Sequence, residues 1–333
     1  MIMTNNTLRS FLLIAALVVA LPFATTSNTL AATILIYGMA AMACNLLVGY
    51  AGLLSFCQGV FFGVGGYVAG IVLLDTGIGL IPALAIATAV SALVAGMIGA
   101  VSIRRTGIYF VMLTLAFSQM FYFLAYSQPD ITGGDNGLNG VPRKPLDFFG
   151  LVRVDLDDNQ VFYGLVAVAF LAVYLLLRRV IESPLGSTLI AIRENGTRAW
   201  AVGYDPRHYK VLAFVISGAI TGFAGALDGL LLGIVPLSNI DLRMSEHIVI
   251  AAILGGAGSL FGSAVGAALL VFATDLLSEW WPRWQIILGV ALILLVIFTP
   301  DGLTGIWQNL KARLGSRRKA GTPAPAGERM GVE

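Results

Sequence analysis

Apolar runs long enough to cross a bilayer recur along the chain. A helix needs about 20 mainly apolar residues to span the hydrocarbon core, and charged or turn-forming residues separate such runs. The pattern predicts seven spans, at roughly 9–26, 31–50, 53–74, 79–103, 107–127, 160–178 and 209–233. A last run covers 284–299. The prediction is an all-α integral membrane protein.

The first run has a competing interpretation. Arg9 precedes it and Ala31-Ala32 follow it, a pattern that also suits a cleavable signal peptide. An uncleaved span is favoured because many more spans follow. The predicted organisation is an N-terminal transmembrane helix within 1–30, a transmembrane domain over 31–308, and a basic, disordered cytoplasmic tail at 309–333.

Basic residues assign the sides of the membrane. Three basic groups, at 104–105, 178–210 and 311–329, are expected on the cytoplasmic side. The loop at 128–159 instead carries six aspartates and is expected outside. Seven alternating spans that start with the amino terminus inside place every one of these segments on its expected side. Both termini are therefore predicted to be cytoplasmic.

The apolar stretch at 248–277 is interrupted by the sequence GGAGS at 255–259. The chain near Asn239 to Arg243 is expected outside and the tail inside, so this stretch must form a hairpin of two short or re-entrant helices. About ten transmembrane or re-entrant helices result. Broken helices at membrane depth require protein or a water-filled cavity around the freed backbone. The glycine turn is therefore expected against a translocation path or a packed interface.

Composition supports the membrane assignment. The chain is 58% hydrophobic and 11% charged, with a mean hydropathy of +0.87, whereas soluble domains carry about 25% charged residues. A net charge of +2 gives no reason to expect nucleic acid as a partner. The 39 glycines exceed the usual share of about 7%. Stripes such as Gly59, Gly63, Gly66 and Gly70 predict close helix packing.

Ionisable groups are scarce within the predicted spans. Asp75, Asp228, Asp275 and Glu279 fall near predicted outer ends, which disfavours a carrier with a carboxylate relay. None of the four lysines has the context of a phosphate-binding loop, so no ATPase site of its own is expected. No metal site or catalytic triad is predicted either. A channel, or a transporter powered by partners, fits these observations.

Five segments carry motifs in a fixed order: Asn45 to Gly70, Arg105 to Gln119, Thr132 to Pro142, Ser183 to Leu227 and Ile253 to Gly266. Together they resemble the permease subunits of branched-chain amino acid ABC importers of the LivM type. The resemblance implies a permease bundle with broken helices in a bacterial inner membrane. It also implies a second homologous permease, two cytoplasmic ATP-binding subunits that hold ATP and Mg, and an extracytoplasmic solute-binding protein.

The resemblance also suggests roles for particular residues. The cytoplasmic coupling loop at 179–209 is expected to dock on the ATPases, through Glu182, Pro184, Gly186, Arg193, Glu194, Asn195 and Gly203. The external loop either contacts the binding protein or only forms a rigid turn, through Thr132, Gly133, Gly134, Gly137 and Pro142. Polar residues expected nearest the substrate path are Ser55, Gln58, Tyr109, Thr114, Ser118 and Gln119.

Two questions about function stay open at this stage. Related permeases share these motifs, so urea, amides or aromatic acids are alternative cargos to aliphatic amino acids. A self-sufficient channel or facilitator is the alternative from another class, and it would work without ATP.

Overall fold

The structure is a computed structural model that describes residues 18, 21–22, 25, 27–148, 152–154, 156–280, 286 and 289–290. The predicted spans at 9–26 and 284–299 and the tail at 309–333 lie outside its continuous segments.

Long helices dominate the described chain. The first, α1, covers Asn28–Asn45 and continues as a π-helical segment, Leu46–Ala51. The other long helices are α2 (Gln58–Asp75), α3 (Leu80–Ser102), α4 (Ile108–Tyr126), α6 (Asn159–Ile181), α9 (Pro206–Leu232) and α11 (Leu260–Trp280). The shorter helices are α5 (Pro129–Thr132), α7 (Pro184–Glu194), α8 (Gly196–Ala201) and α10 (Leu242–Gly255).

Two small antiparallel strand pairs lie in the loops. Strand β1 (Leu138–Asn139) pairs with β4 (Ile234–Val235), and β2 (Leu146–Phe148) pairs with β3 (Val152–Val154). The first pair joins the external loop to the segment that follows α9.

Seven helical segments of the described chain are long and apolar enough to cross a membrane. Six correspond to predicted spans, and the seventh is Leu260–Ser278. A turn at 256–259 separates α10 from α11, which confirms the predicted hairpin, but only α10 is short, because α11 is long enough to span a membrane. Helix α10 has only 14 residues, about 21 Å at 1.5 Å per residue, which is less than the hydrocarbon core.

The glycine stripes let α2, α3 and α9 approach closely. A Cβ atom added to Gly65 would lie 1.9 Å from the carbonyl oxygen of Gly222, and one added to Gly225 would lie 1.9 Å from that of Phe62. Contacts at the two ends of the packed region show that α2 and α9 run parallel, since Gln58 bonds to Ser217 and Gly66 lies beside Gly229. Helix α3 runs antiparallel to α9, since Gly99 packs on Phe214 near the start of α9. The predicted close packing is confirmed.

The loops segregate to two ends of the bundle. Because α3 is antiparallel to α9, the turn with Arg104 and Arg105 lies at the same end as α7 and α8. The external loop meets residues 234–235 at the opposite end.

Candidate functional site: two helix breaks at membrane depth

The first break separates α1 from α2. The π-helical segment ends at Ala51, Gly52 has a φ of 67°, and α2 begins only at Gln58. Segments of π-helix are rare and often mark functional positions. The predicted span at 53–74 therefore starts five residues late, because residues 53–57 are not helical.

Gln58 is fully buried at this break and joins three helices. Its Nε2 donates to Ser217 Oγ at 3.1 Å, and its Oε1 accepts from Thr221 Oγ1 at 2.8 Å. Ser217 Oγ in turn donates to the carbonyl oxygen of Ala43 at 2.7 Å. A buried polar group is costly unless it is hydrogen-bonded, and this network satisfies both ends of the amide.

These bonds also give the depth of the break. Ser217 lies eleven residues after the start of α9 and fifteen before its end, about 17 Å and 23 Å at 1.5 Å per residue. Helix α2 therefore begins beside the middle of α9, which is itself a candidate membrane span.

Helix α4 covers the first break. The backbone N–H of Phe56 donates to Thr114 Oγ1 at 3.3 Å, and Cys57 Sγ donates to the carbonyl oxygen of Thr114 at 3.1 Å. Ser118, one turn further along α4, is buried, and its hydroxyl has no partner among the described residues. Of the predicted path residues, Ser55, Gln58 and Thr114 thus meet at the break, and Ser118 lies on the same buried face of α4.

The other two predicted path residues lie differently. Tyr109 is 70% exposed at the start of α4. Gln119 is half-buried.

The second break follows α9. The chain turns at Gly233 and descends along α2, with Val235 against Gly66 and Ile240 against Gly63. The carbonyl oxygen of Asp241 lies 2.7 Å from where a Cβ atom of Gly59 would be, and Gly59 N donates to Ser245 Oγ at 2.8 Å.

Helix α10 therefore begins beside the start of α2, at membrane depth. The expectation that residues 239–243 lie outside is wrong in this respect, because charge alone does not reveal that the chain turns back into the bundle.

Asp228 lies near the end of α9, as expected, and its side chain is buried. It lies four residues before the end of α9, is 3% exposed, and accepts from Asn239 Nδ2 at 3.0 Å. The carboxylate thus holds the descending segment against α9.

Asn45 fastens the glycine turn to the end of α1. Its side chain is fully buried; Nδ2 donates to the carbonyl oxygens of Gly256 and Ser259 at 3.3 and 2.9 Å and to Ser263 Oγ. Its Oδ1 accepts from Gly258 N at 2.9 Å. The sequence predicted the turn against a path or an interface, and the structure places it against the first break.

Arg193 connects the coupling loop to the same place. Its Nη1 donates to the carbonyl oxygen of Gly49 in the π-helical segment, and its side chain packs on Gly52. Glu194 is exposed, and it borders an open groove of about 370 Å³ along α7 and α8. The groove is lined by Ser187, Thr188, Ala191, Glu194, Asn195, Arg198, Ala199, Val202 and Tyr204.

The other predicted coupling residues shape this loop. Glu182 forms an ion pair with Arg178 at 2.8 Å, and Pro184 occupies the first turn of α7. A Cβ atom on Gly186 would lie 2.0 Å from the carbonyl oxygen of Ile181, so only glycine fits there. Asn195 caps α8 by accepting from Arg198 N at 2.9 Å, and Gly203 has a φ of 98°.

The external loop is a tight turn held by hydrogen bonds. Thr132 Oγ1 donates to the carbonyl oxygen of Ala125 at 2.5 Å, and Gly133, Gly134 and Gly137 all have positive φ. A Cβ atom on Gly137 would lie 2.5 Å from the carbonyl oxygen of Val235. Pro142 is half-buried beside these turns.

Arg143 follows Pro142 and fixes the loop to the ends of two helices. It donates to the carbonyl oxygens of Leu230 and Leu231 at 2.9 and 2.6 Å, and to Asn159 Oδ1 at 2.9 Å. A cation near the C-terminal end of a helix is favourable, because free carbonyl groups point toward it.

Helices that break at membrane depth around a common point, in a multi-pass bundle, are the architecture of a transporter. The model of the family described as the branched-chain amino acid transport system permease component matches residues 26–297. The chain belongs to this family of membrane permeases.

Its relatives include the high-affinity branched-chain amino acid transport system permease protein LivM of Escherichia coli. The two are 30% identical over 323 residues, which is 90% of this chain and 76% of the relative. The chain is also 22% identical over 286 residues to the permease protein BraD of Pseudomonas aeruginosa, covering 81% of this chain and 91% of the relative. No solved structure matches the chain.

Proposed function

We propose that this chain is the membrane-spanning subunit of an ATP-driven importer that moves branched-chain amino acids across a bacterial inner membrane. Membership of the permease family and the names of its relatives support this function. The basic loops lie at one end of the bundle and the aspartate-rich loop at the other, which supports a topology with both termini in the cytoplasm.

The observation that carries the proposal is the contact between Arg193 and Gly49. The exposed groove along α7 and α8 is a surface for a cytoplasmic ATPase, and Arg193 ties α7 to the π-helical segment. Displacement of α7 by an ATPase therefore acts on the first break. In this mechanism, Glu194 and Asn195 face the ATPase, whereas Arg193 faces the membrane domain.

The other subunits of the importer are separate proteins. Two ATP-binding subunits hold ATP and Mg, a second homologous permease completes the path, and a solute-binding protein delivers the amino acid to the external loop. This chain needs no covalent chemistry: it alternates access between the two sides.

The first break provides surroundings that suit an aliphatic substrate. Hydroxyl and amide groups at Ser55, Gln58, Thr114 and Ser118 lie among apolar side chains. An aliphatic side chain suits these surroundings once the first break opens during the transport cycle.

Uptake by a reconstituted complex tests the proposal. Proteoliposomes that contain this chain with its partner permease, ATPases and binding protein should accumulate radiolabelled leucine only when ATP is present on the ATPase side. Flux through this chain alone without ATP would instead identify a facilitator.

Cargo is tested by competition in the same vesicles. Valine and isoleucine should compete with leucine, whereas urea, aliphatic amides and aromatic acids should not. Preferential uptake of urea, an amide or an aromatic acid would show that this compound is the cargo, and it would leave the ATP-driven mechanism unchanged.

A further inference from the structure

The first turns of α10 carry three ionisable side chains at membrane depth. Arg243 and Glu246 are exposed and His247 is half-buried. They flank Ser245, whose hydroxyl accepts from Gly59 N at 2.8 Å, next to the buried amide of Gln58. We call Arg243, Glu246 and His247 the charged turn.

The charged turn is open and its charges are not neutralised. Within the described chain, neither Arg243 nor Glu246 forms an ion pair within 4.0 Å, although they are three residues apart on one helix. The nearby Asp241 is already engaged, because its Oδ1 accepts from Leu242 N at 2.6 Å. Two opposite charges therefore stand side by side with their hydrogen-bonding capacity free.

Lipid is an unsuitable neighbour for this surface. Exposed Arg and Glu side chains at the centre of a bilayer are costly, and such residues normally face a water-filled cavity. Other strongly exposed residues on the long helices are apolar, as expected for a surface that faces lipid. Val168 on α6, Met112 on α4 and Leu93 on α3 are 68%, 60% and 60% exposed. The charged turn thus marks the water-accessible side of the bundle.

Adjacent opposite charges complement a zwitterion. The carboxylate of an amino acid suits the guanidinium of Arg243, which offers a planar pair of donors, and the N-terminal end of α10 adds a favourable dipole. The ammonium group suits the carboxylate of Glu246. An aliphatic side chain would then lie against the apolar face of α4, which contacts α10.

We propose that Arg243 and Glu246 bind the α-carboxylate and α-ammonium groups of the transported amino acid at the second break. This inference rests on the proposed import of amino acids and adds the site at which the membrane domain holds its cargo. His247 borders the site.

Charge-neutral variants test the site in the reconstituted complex. We expect Arg243→Gln and Glu246→Gln each to lower leucine uptake per ATP hydrolysed about tenfold, since each removes a charge-assisted hydrogen bond. Arg243→Lys and Glu246→Asp should restore part of the uptake. The matched controls Arg105→Gln and Asp75→Asn, which remove exposed charges at the two ends of the bundle, should leave uptake unchanged.

Thiol labelling gives a second readout that does not depend on transport. Cys44 and Cys57 are buried, so Glu246→Cys provides an accessible thiol. A charged methanethiosulfonate reagent should label it in the assembled complex, and leucine with binding protein should slow the labelling. Val168→Cys on α6 is the control, since an exposed position that faces lipid should not react with a charged reagent.

The outcomes separate the two proposals. A wild-type complex without ATP-dependent amino acid uptake contradicts the proposed function itself. Normal wild-type uptake with unchanged Gln variants contradicts only the zwitterion site. Failure of the Gln variants to assemble, with no labelling of Glu246→Cys, would assign the charged turn to contact with the second permease and overturn the proposal.

Discussion

Both helix breaks start a helix at a similar depth in the bundle, but they differ in whether their polar side chains are buried. At the first break, α2 begins at membrane depth, and Gln58 is fully buried within a hydrogen-bonded network. At the second break, α10 begins at nearly the same level, but Arg243 and Glu246 are exposed. The first break is closed by its own chain, whereas the second presents free charges.

This difference teaches which features of a broken helix concern folding and which concern function. Closing a break requires partners for the freed backbone and polar side chains, and Ser217, Thr221 and Thr114 supply them. Exposed charges that remain unpaired after the break is closed do not help the fold, since they bond to no other part of the described chain. They are the positions at which a ligand is needed.

The largest effect is expected from separating the helices that hold the first break. Gly65→Ala places a Cβ atom 1.9 Å from the carbonyl oxygen of Gly222, so α2 and α9 must move apart. We expect a loss of about 3 kcal/mol or more in the free energy of unfolding, seen as a lower Tm in detergent. The control is Gly164→Ala on α6, where a Cβ atom meets nothing within 4 Å; equal Tm values for the two variants would contradict the close packing.

Asn45→Ala tests the connection between the end of α1 and the glycine turn that follows α10. The substitution leaves Gly258 N without its acceptor and the carbonyl oxygens of Gly256 and Ser259 without their amide donor. We expect a loss of about 2–4 kcal/mol, measured by thermal unfolding. Asn136→Ala, at an exposed position of the external loop, should leave the Tm unchanged. An Asn45→Ala protein with wild-type stability would show that the turn is held by packing alone.

Arg193→Ala and Glu194→Ala separate the two faces of the coupling loop. Losing the bond from Arg193 to Gly49 should cost about 1.5–3 kcal/mol and lower leucine uptake per ATP hydrolysed while the ATPases stay bound. Glu194→Ala should leave the stability of the chain within about 0.5 kcal/mol and weaken binding of the ATPases. Identical phenotypes would mean that both side chains face the same partner. Affinity of the ATPases for the membrane subunits and uptake per ATP are the two measurements.

The smallest effect is expected far from both breaks, at the start of α9. Asp205 caps this helix by accepting from Arg207 N at 2.9 Å, and this bond, with the nearby His208 and Arg207, lowers the pKa of the exposed carboxyl group. The stabilisation is present above the ordinary Asp pKa of about 3.9 and is lost as the pH falls through the lower pKa of the folded state.

Thermal unfolding measured against pH checks this prediction. Asp205→Ala should lower the Tm slightly at neutral pH, and its difference from the wild type should shrink in acid. Asp205→Asn keeps the helix cap, so its Tm at neutral pH should lie between those of the wild type and Asp205→Ala. A difference that grows in acid would contradict the assignment.

Sequence reasoning found the spans because their apolar length is set by the bilayer, and it found the close helix packing because small residues at helical spacing have few other uses. It missed the first break, because Leu53 and Leu54 continue the apolar run although they are not helical. It placed Arg243 outside the membrane, because charged residues usually lie in aqueous loops. The pattern of charges does not show that the chain turns back into the helix bundle after α9. The bond from Arg193 to Gly49 joins residues 144 positions apart, and no local pattern encodes such a pair.

The strand pair between Leu138–Asn139 and Ile234–Val235 has a practical consequence for spectroscopy. A spin label or fluorophore at Asn139, which is exposed, sits on the same hydrogen-bonded ladder as the segment that leads down to α10. Its signal would therefore report on the second break from the aqueous phase, without a probe inside the membrane. A second label at exposed Arg198 on α8 would allow the distance between the two ends of the bundle to be followed through a transport cycle.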